Sequence, residues 1–295
     1  MLDITREQLE KLYNKQQFMI KAIVVYCCVT LVLYVVMRIA HIYALPVLLL
    51  SFILLIIITA AVRKKLIPAG HTSELVKEAY SSLQYDYYSD GALNMLFTKL
   101  GRAQNFPEKT YLTLFAAEIY MIRGEADKAI AMLGNVDRSE FVKYPTVGMS
   151  FYDDILSMYC QLGDYDSVMR AYRDGEPFIR ECADRNYVLC NTAIEILIRE
   201  YTASGDPHHA LELRLMKNDF QNRFKKSTSQ MANQTTTPFK QFLDGIVFLD
   251  TAELYYMCGD KESAARAVDT AGPLVAKSPY YLDRANRLSA AIRGE

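Results

Sequence analysis

Residues 18–65 carry two adjacent apolar runs, and these constrain the chain more than any other feature. From Ala22 to Val62 the only Asp, Glu, Lys or Arg is Arg38, which separates Ala22–Met37 from Ile42–Val62. A helix that crosses a bilayer needs about 17–25 apolar residues. The second run is long enough alone, and the first reaches this length when basic residues at its ends extend toward the headgroups. The sequence therefore predicts a two-helix transmembrane hairpin.

The hairpin is predicted over residues 18–65, with helices at about 20–40 and 43–62. Basic residues flank it unequally, with one (Arg38) in the connecting turn and seven outside: Arg6, Lys11, Lys15, Lys21, Arg63, Lys64 and Lys65. Because basic residues favour the cytoplasmic side, we expect a multi-pass protein of the cell (plasma) membrane with two spans and both termini cytoplasmic. A re-entrant hairpin is the alternative, and it also keeps both ends on one side.

Residues 1–17 predict a short amphipathic helix that leads into the hairpin. Thr5 can cap this helix, and Gln8 stands at the capping-box position. Leu9 and Tyr13 share one face at helical spacing. The helix is expected either to lie on the membrane surface or to extend the first span.

Residues 72–295 carry helical periodicity throughout, and four glycine-centred turns interrupt it with similar residues around them. The glycines are Gly124, Gly163, Gly205 and Gly259. A tyrosine precedes each by four residues (Tyr120, Tyr159, Tyr201, Tyr255), and Ala117, Leu156, Ile198 or Ala252 precedes it by seven. Ala129, Val168, Ala210 or Ala264 follows by five. Glycine in the left-handed conformation ends a helix, and the acidic residue after it favours the start of the next.

These turns resemble the tetratricopeptide repeat, in the segments AEIYMIRGEADKA, LSMYCQLGDYDSV, IREYTASGDPHHA and AELYYMCGDKESA. The chain departs from the family in having no Trp and in glycine spacings of 39, 42 and 54 residues, against about 34. The resemblance implies an all-α fold in which residues 72–295 form a cytoplasmic α-solenoid of stacked antiparallel helix pairs. A polar loop at 225–238 accounts for the widest spacing.

The resemblance also implies a concave surface formed by the first helices of the pairs, where such proteins bind a protein or peptide. By family position this surface presents Leu114, Glu118, Met121, Asp153, Ser157, Glu195, Arg199, Leu249, Glu253 and Tyr256. Its acidic residues are matched by a basic or amphipathic peptide.

Charge and cysteine spacing exclude other classes of function. Residues 1–65 carry a net charge of +5 and the remainder −6, so the body lacks the basic face of a nucleic-acid-binding protein. The six cysteines lack metal-ligand spacing. We therefore expect no metal, no cofactor and no nucleic-acid partner.

Two residue pairs are candidates for chemistry, the histidines for metal binding or pH sensing and the aspartates for acid–base catalysis. His208 and His209 are adjacent, so on a helix they point about 100° apart and are expected in solvent. Asp153 and Asp154 have no accompanying nucleophile or cofactor motif. The sequence thus predicts a membrane-anchored, non-enzymatic adaptor or scaffold. The alternatives are an accessory subunit that acts through its hairpin and an enzyme with an unrecognised helical site, for which Asp153, Asp154 and His208 would have to meet.

Overall fold

The computed structural model describes residues 4–39, 49–57, 73–228 and 237–294, and all regular structure in these ranges is helical. The all-α prediction is therefore confirmed for the described part of the chain. The helices are α1 (Arg6–Ile39), α2 (49–57), α3 (Glu74–Leu83), α4 (Asp90–Leu100), α5 (Phe106–Ile122), α6 (Ala126–Gly134), α7 (Pro145–Leu162), α8 (Tyr165–Ala183), α9 (Tyr187–Ala203), α10 (Pro207–Thr228), α11 (Pro238–Met257), α12 (Lys261–Val275) and α13 (Pro279–Arg293), with a 3₁₀ helix at Arg138–Val142.

The first turns of α1 pack against the helical body. Thr5 caps the helix as predicted, since its Oγ1 accepts the Gln8 backbone N–H at 3.2 Å. The Gln8 side chain does not close a capping box but donates to Asp184 Oδ1 at 2.5 Å. Leu9 is fully buried, and the Tyr13 ring lies 5.4 Å from that of Tyr187 on α9. The predicted amphipathic helix is thus the first part of α1, and its apolar face covers the body.

The second part of α1 exposes its apolar side chains. Phe18 is 72% exposed and Leu31 is 67% exposed, and most of the neighbouring apolar side chains of α1 are also exposed. In the described ranges one helix, over Arg6–Val36, is long and apolar enough to cross a membrane, and its apolar window is not buried by the rest of the protein. The side chains of this window therefore need a cover that the body does not provide.

The short helix α2 is also apolar and exposed, with Leu50 70% exposed. It contacts α1, because the Tyr26 hydroxyl donates to the Ser51 carbonyl oxygen at 3.3 Å. The predicted turn of the hairpin and the end of its second helix fall on residues 40–48 and 58–72, which lie outside the described residues.

The four glycine-centred turns have the predicted geometry. The φ angles of Gly124, Gly163, Gly205 and Gly259 are 77°, 71°, 85° and 84°. The backbone N–H after each glycine donates to the carbonyl oxygen of the tyrosine five residues earlier, at 2.8–3.0 Å, which is the bond that closes a helix end in this motif. Asp164, Asp206 and Asp260 each cap the following helix by accepting a backbone N–H three residues on. Glu125 makes no such cap.

Consecutive helices from α5 to α10 contact each other in the pairs α5–α6, α7–α8 and α9–α10, and α7 packs against both α5 and α9. The small residues after the turns allow close approach, since Ala129, Val168, Ala210 and Ala264 are all fully buried. One large core runs through these pairs and includes Leu9 of α1.

The last three helices return to the first ones. A second core joins side chains of α3–α5 with side chains of α11–α13. In it the Tyr87 ring lies 5.2 Å from Phe239 and 5.0 Å from Phe242. The Ser278 hydroxyl donates to the Ile122 carbonyl oxygen. The first and last helices of the body therefore share one core.

The predicted polar loop at 225–238 is shorter than expected, because α10 continues to Thr228 and α11 begins at Pro238. The ring centroid of Phe220 on α10 lies 6.4 Å from that of Tyr13 on α1. This contact holds α10 in place near its end, and the polar residues after Phe220 continue the helix. The loop residues 229–236 lie outside the described residues.

Candidate binding cavity

A cavity of about 280 Å³ lies at the centre of the body, between α5, α7, α9, α10, α11 and α13. Six of the ten residues predicted on the concave surface line it: Glu118, Met121, Asp153, Ser157, Glu195 and Arg199. These six side chains therefore share one space.

The other four predicted residues lie elsewhere. Leu114 is 3% exposed and Leu249 is fully buried, so both belong to the cores. Tyr256 is partly buried against the second core. Glu253 lies beside the cavity, where the Nε and Nη2 of Arg284 donate to its two carboxylate oxygens at 2.7 and 2.6 Å.

One wall of the cavity is a compensated ion cluster around Glu195. Its Oε1 accepts from Arg214 Nη1 at 2.5 Å and from Lys217 Nζ at 2.6 Å. Its Oε2 accepts from Arg199 Nη1 at 3.1 Å, and the same Nη1 lies 2.9 Å from Asp153 Oδ1. Burial alone would raise the pKa of Glu195, but the three cations together hold it well below its ordinary value.

Two other carboxylates of the lining, on α5 and α7, form no ion pair with any described residue. Glu118 and Asp154 line the cavity, and no residue of the described ranges gives either one a hydrogen bond or an ion pair. Burial, with a smaller contribution from Asp153, raises the pKa of Glu118 to about 7. Burial raises the pKa of Asp154 well above its ordinary value, and the carboxylates of Asp153 and Glu118 raise it further, while Arg199 opposes this shift only in part.

The remaining lining is apolar. Met121 and Met158 contribute from α5 and α7, and Leu243, Ile246 and Val247 contribute from α11. Val247 is 38% exposed, so the cavity reaches the surface at this side chain. The space therefore combines an uncompensated acidic wall with aliphatic and thioether walls.

The residues considered for catalysis do not assemble into one site. His208 lines a separate cavity of about 780 Å³ between the start of α1 and α10, and it is exposed. The His209 ring lies 4.2 Å from that of Tyr201. Asp153 and Asp154 line the central cavity instead. No group of three or more His, Cys, Asp and Glu side chains within the described ranges is arranged to hold a metal ion.

Sequence reasoning found Arg199 but missed the other cations in and beside the cavity. Arg214 and Lys217 lie on α10, the second helix of its pair, and are 2% and 7% exposed. Arg284 lies on α13 and bridges Glu253 to Asp250. The predicted site residues all lie on the first helix of a pair, so α10 and α13 were not included. The usable signal was the spacing of Arg214 and Lys217, three residues apart, on the helix face that also carries the buried Phe220.

Comparisons with known proteins add no identity to this geometry. No family model matches the chain, and no significant match is found among curated proteins or among solved structures.

Proposed function

We propose that the protein is a membrane-anchored, non-enzymatic adaptor that recruits a protein partner at its central cavity. The observation that carries this proposal is the continuity of α1, a single helix that packs on the body at its start and exposes apolar side chains from Phe18 to Val36. Because α1 has no break between its two parts, the body stays close to the membrane proposed to surround the apolar part of α1. A partner bound to the body is then concentrated at the membrane surface.

A hairpin with both ends on the cytoplasmic side agrees with two observations. The start of α1 contacts the body, as in the Arg6–Asp219 ion pair of 3.0 Å, so the N-terminal turns and the body lie on the same side of any bilayer that α1 enters. The contact between Tyr26 and Ser51 is the one expected of two neighbouring legs. The excess of basic residues outside the hairpin favours the cytoplasmic face of the cell membrane.

The body is proposed to be a tetratricopeptide-like array whose ends have closed on each other. Four helix pairs joined by left-handed glycines support this, as does the packing of α7 between α5 and α9. The return of α11–α13 onto α3–α5 limits the concave surface to the central cavity. A partner would therefore insert individual side chains there rather than lay a long helix along a groove.

The proposal is tested by crosslinking in intact membranes and identification of the proteins that co-purify with the full chain. We expect a partner that is lost when residues 73–294 are deleted and the anchor is kept. A partner set that is unchanged by this deletion would contradict the proposal.

The second candidate is an accessory subunit that acts through its hairpin, and it is favoured by the apolar side chains of α1 that no part of the body covers. Either lipid or another membrane helix could cover these apolar side chains. Replacement of residues 18–65 by an unrelated two-helix anchor separates the candidates. An adaptor retains its partner after this exchange, whereas an accessory subunit loses it.

The orientation is tested with Ser204→Cys, because Ser204 lies on an exposed turn of the body. A membrane-impermeant thiol reagent should label this variant more than the wild type only after lysis. Additional labelling in intact cells would place the body outside.

A further inference from the structure

The lining of the central cavity contains more carboxyl groups than cations. These are five carboxyl groups (Glu118, Asp153, Asp154, Glu195, Asp250) and three cations (Arg199, Arg214, Lys217). The cations are committed to Glu195 and Asp153, and Arg284 binds Asp250 at 2.8 Å. The two carboxylates that remain, Glu118 and Asp154, line the same cavity and are half-buried.

A carboxylate that is partly removed from water and has no counter-charge is less stable in its ionised form. The pKa of Glu118 and that of Asp154 are both raised, which agrees with this cost. A bound cation would offset the cost by direct pairing with the ionised carboxylates.

The chemistry of the walls selects the kind of cation. Metal ions need several ligands converging on one point, and no group of that kind occurs among the described residues. The apolar lining of Met121, Met158, Leu243, Ile246 and Val247 suits the methylene stem of a long basic side chain. A volume of about 280 Å³ is small for a drug-sized ligand and adequate for one side chain.

We propose that the cavity binds one lysine or arginine side chain of a protein partner, with its cationic head between Glu118 and Asp154. This inference rests on the adaptor function proposed above and names the group that the adaptor recognises. The stem of the side chain enters past Val247, the exposed edge of the cavity, and lies against the aliphatic and thioether walls. Recognition by buried carboxylates would distinguish this partner from proteins that carry only surface basic patches, which pair weakly in water.

Binding should strengthen with rising pH, because a cation pairs with ionised carboxylates. The charged and titratable groups that face Glu118 across the cavity are Asp153 and Asp154 of α7, Glu195 and Arg199 of α9, Arg214 and Lys217 of α10, Asp250 of α11 and Tyr281 of α13. Burial lowers the pKa of Lys217, so any loss of its proton also makes the cavity more negative. These groups therefore move the affinity in the same direction as Glu118.

The test uses the full chain in detergent micelles and a displayed library of random heptapeptides. We expect the selected peptides to share a Lys or Arg, and one synthesised peptide of this set to bind about tenfold to a hundredfold more weakly when that residue is replaced by citrulline or norleucine. The double variant Glu118→Gln/Asp154→Asn should show the same loss. The matched control is Glu262→Gln/Asp283→Asn, which removes two exposed carboxylates and should bind as the wild type does.

The outcomes separate this inference from the proposed function. Selected peptides without a shared basic residue, or equal binding by the double variant, would overturn the cation site even if a partner still co-purifies from membranes. Affinity that does not rise from pH 6 to pH 8 would overturn it as well. Spermidine, added as a free competitor, should displace the peptide only weakly, and tighter binding of spermidine than of the peptide would exclude a partner side chain as the occupant. Thermal melts of the double variant establish that it is folded.

Discussion

Glu195 and Glu118 are the same residue type in the same cavity, yet they have opposite properties. Burial raises the pKa of each. For Glu195 this effect is overcome by cations from α9 and α10, which lower its pKa well below the ordinary value. For Glu118 no cation offsets burial, and its pKa rises to about 7. The difference is therefore set by which neighbouring helix supplies a counter-charge and not by depth alone.

The largest expected effect comes from removing the compensated carboxylate. Glu195→Gln leaves Arg214 and Lys217 buried with no anion in contact, and we expect it to lower the free energy of unfolding by about 3–5 kcal/mol at pH 7. Because the pKa of Glu195 is lowered on folding, its contribution is present above the ordinary value of 4.5 and is lost as pH falls through the folded value. Chemical denaturation at pH 7 and at pH 3 measures both points.

The control for this variant is Glu262→Gln, which removes an exposed partner of Arg266 and should leave stability unchanged. A Glu195→Gln protein as stable as the wild type would mean that water reaches the cations of α10.

The opposite sign is expected at the uncompensated carboxylate. Glu118→Gln should raise the free energy of unfolding by about 2–3 kcal/mol at pH 8, because a shift of one pKa unit corresponds to about 1.4 kcal/mol. The folded pKa of about 7 lies above the ordinary 4.5. The wild type therefore loses stability relative to the variant as pH rises from 4.5 to 7, and the difference disappears in acid.

Denaturation of both proteins at pH 4 and pH 8 checks this prediction, with Glu181→Gln as an exposed control. Equal stability at pH 8 would show that Glu118 is solvated, and the cation site inferred from it would lose its basis.

The helices and turns were accessible from sequence because their causes are local. Positive φ at Gly163 and Gly205 follows from a residue without a side chain at a helix end, and the caps by Asp164 and Asp260 follow from spacing. The return of the last helices onto the first depends on contacts between distant segments, such as Tyr87 with Phe239. No periodic pattern contains such contacts, so this part of the fold could not be predicted.

The candidate site also has one part that could be predicted from the sequence and one part that could not. Glu118, Asp153 and Arg199 lie in one lining, and the sequence placed them on one surface because they stand at similar distances before successive glycine-centred turns. The cations Lys217 and Arg284 come from α10 and α13, and their arrival depends on closure of the body. The charge state of the acidic residues depends on these cations, so it could not be predicted from the repeat pattern either.

A smaller effect is expected when one of the three cations is removed. Lys217→Met should lower the free energy of unfolding by about 1–2 kcal/mol, because Glu195 keeps Arg214 and Arg199 while the thioether fills the space. Lys128→Met, at an exposed pair with Glu125, should cause no measurable change. A loss as large as that of Glu195→Gln would mean that Lys217 alone compensates the carboxylate.

The smallest effect separates burial from charge repulsion at Glu118. Asp153 raises the pKa of Glu118, but burial contributes more. Asp153→Asn should therefore lower the pKa of Glu118 only part of the way toward its ordinary value, as followed by the carboxyl carbon signal in an NMR titration of the full chain in micelles. Arg199 keeps Glu195 as a partner in this variant, so the ion cluster persists. A return to the ordinary pKa would assign the shift to repulsion, and the contrast with Glu195 would then be one of neighbouring charges alone. An unchanged pKa would assign it to burial, which a cation bound in the cavity must overcome.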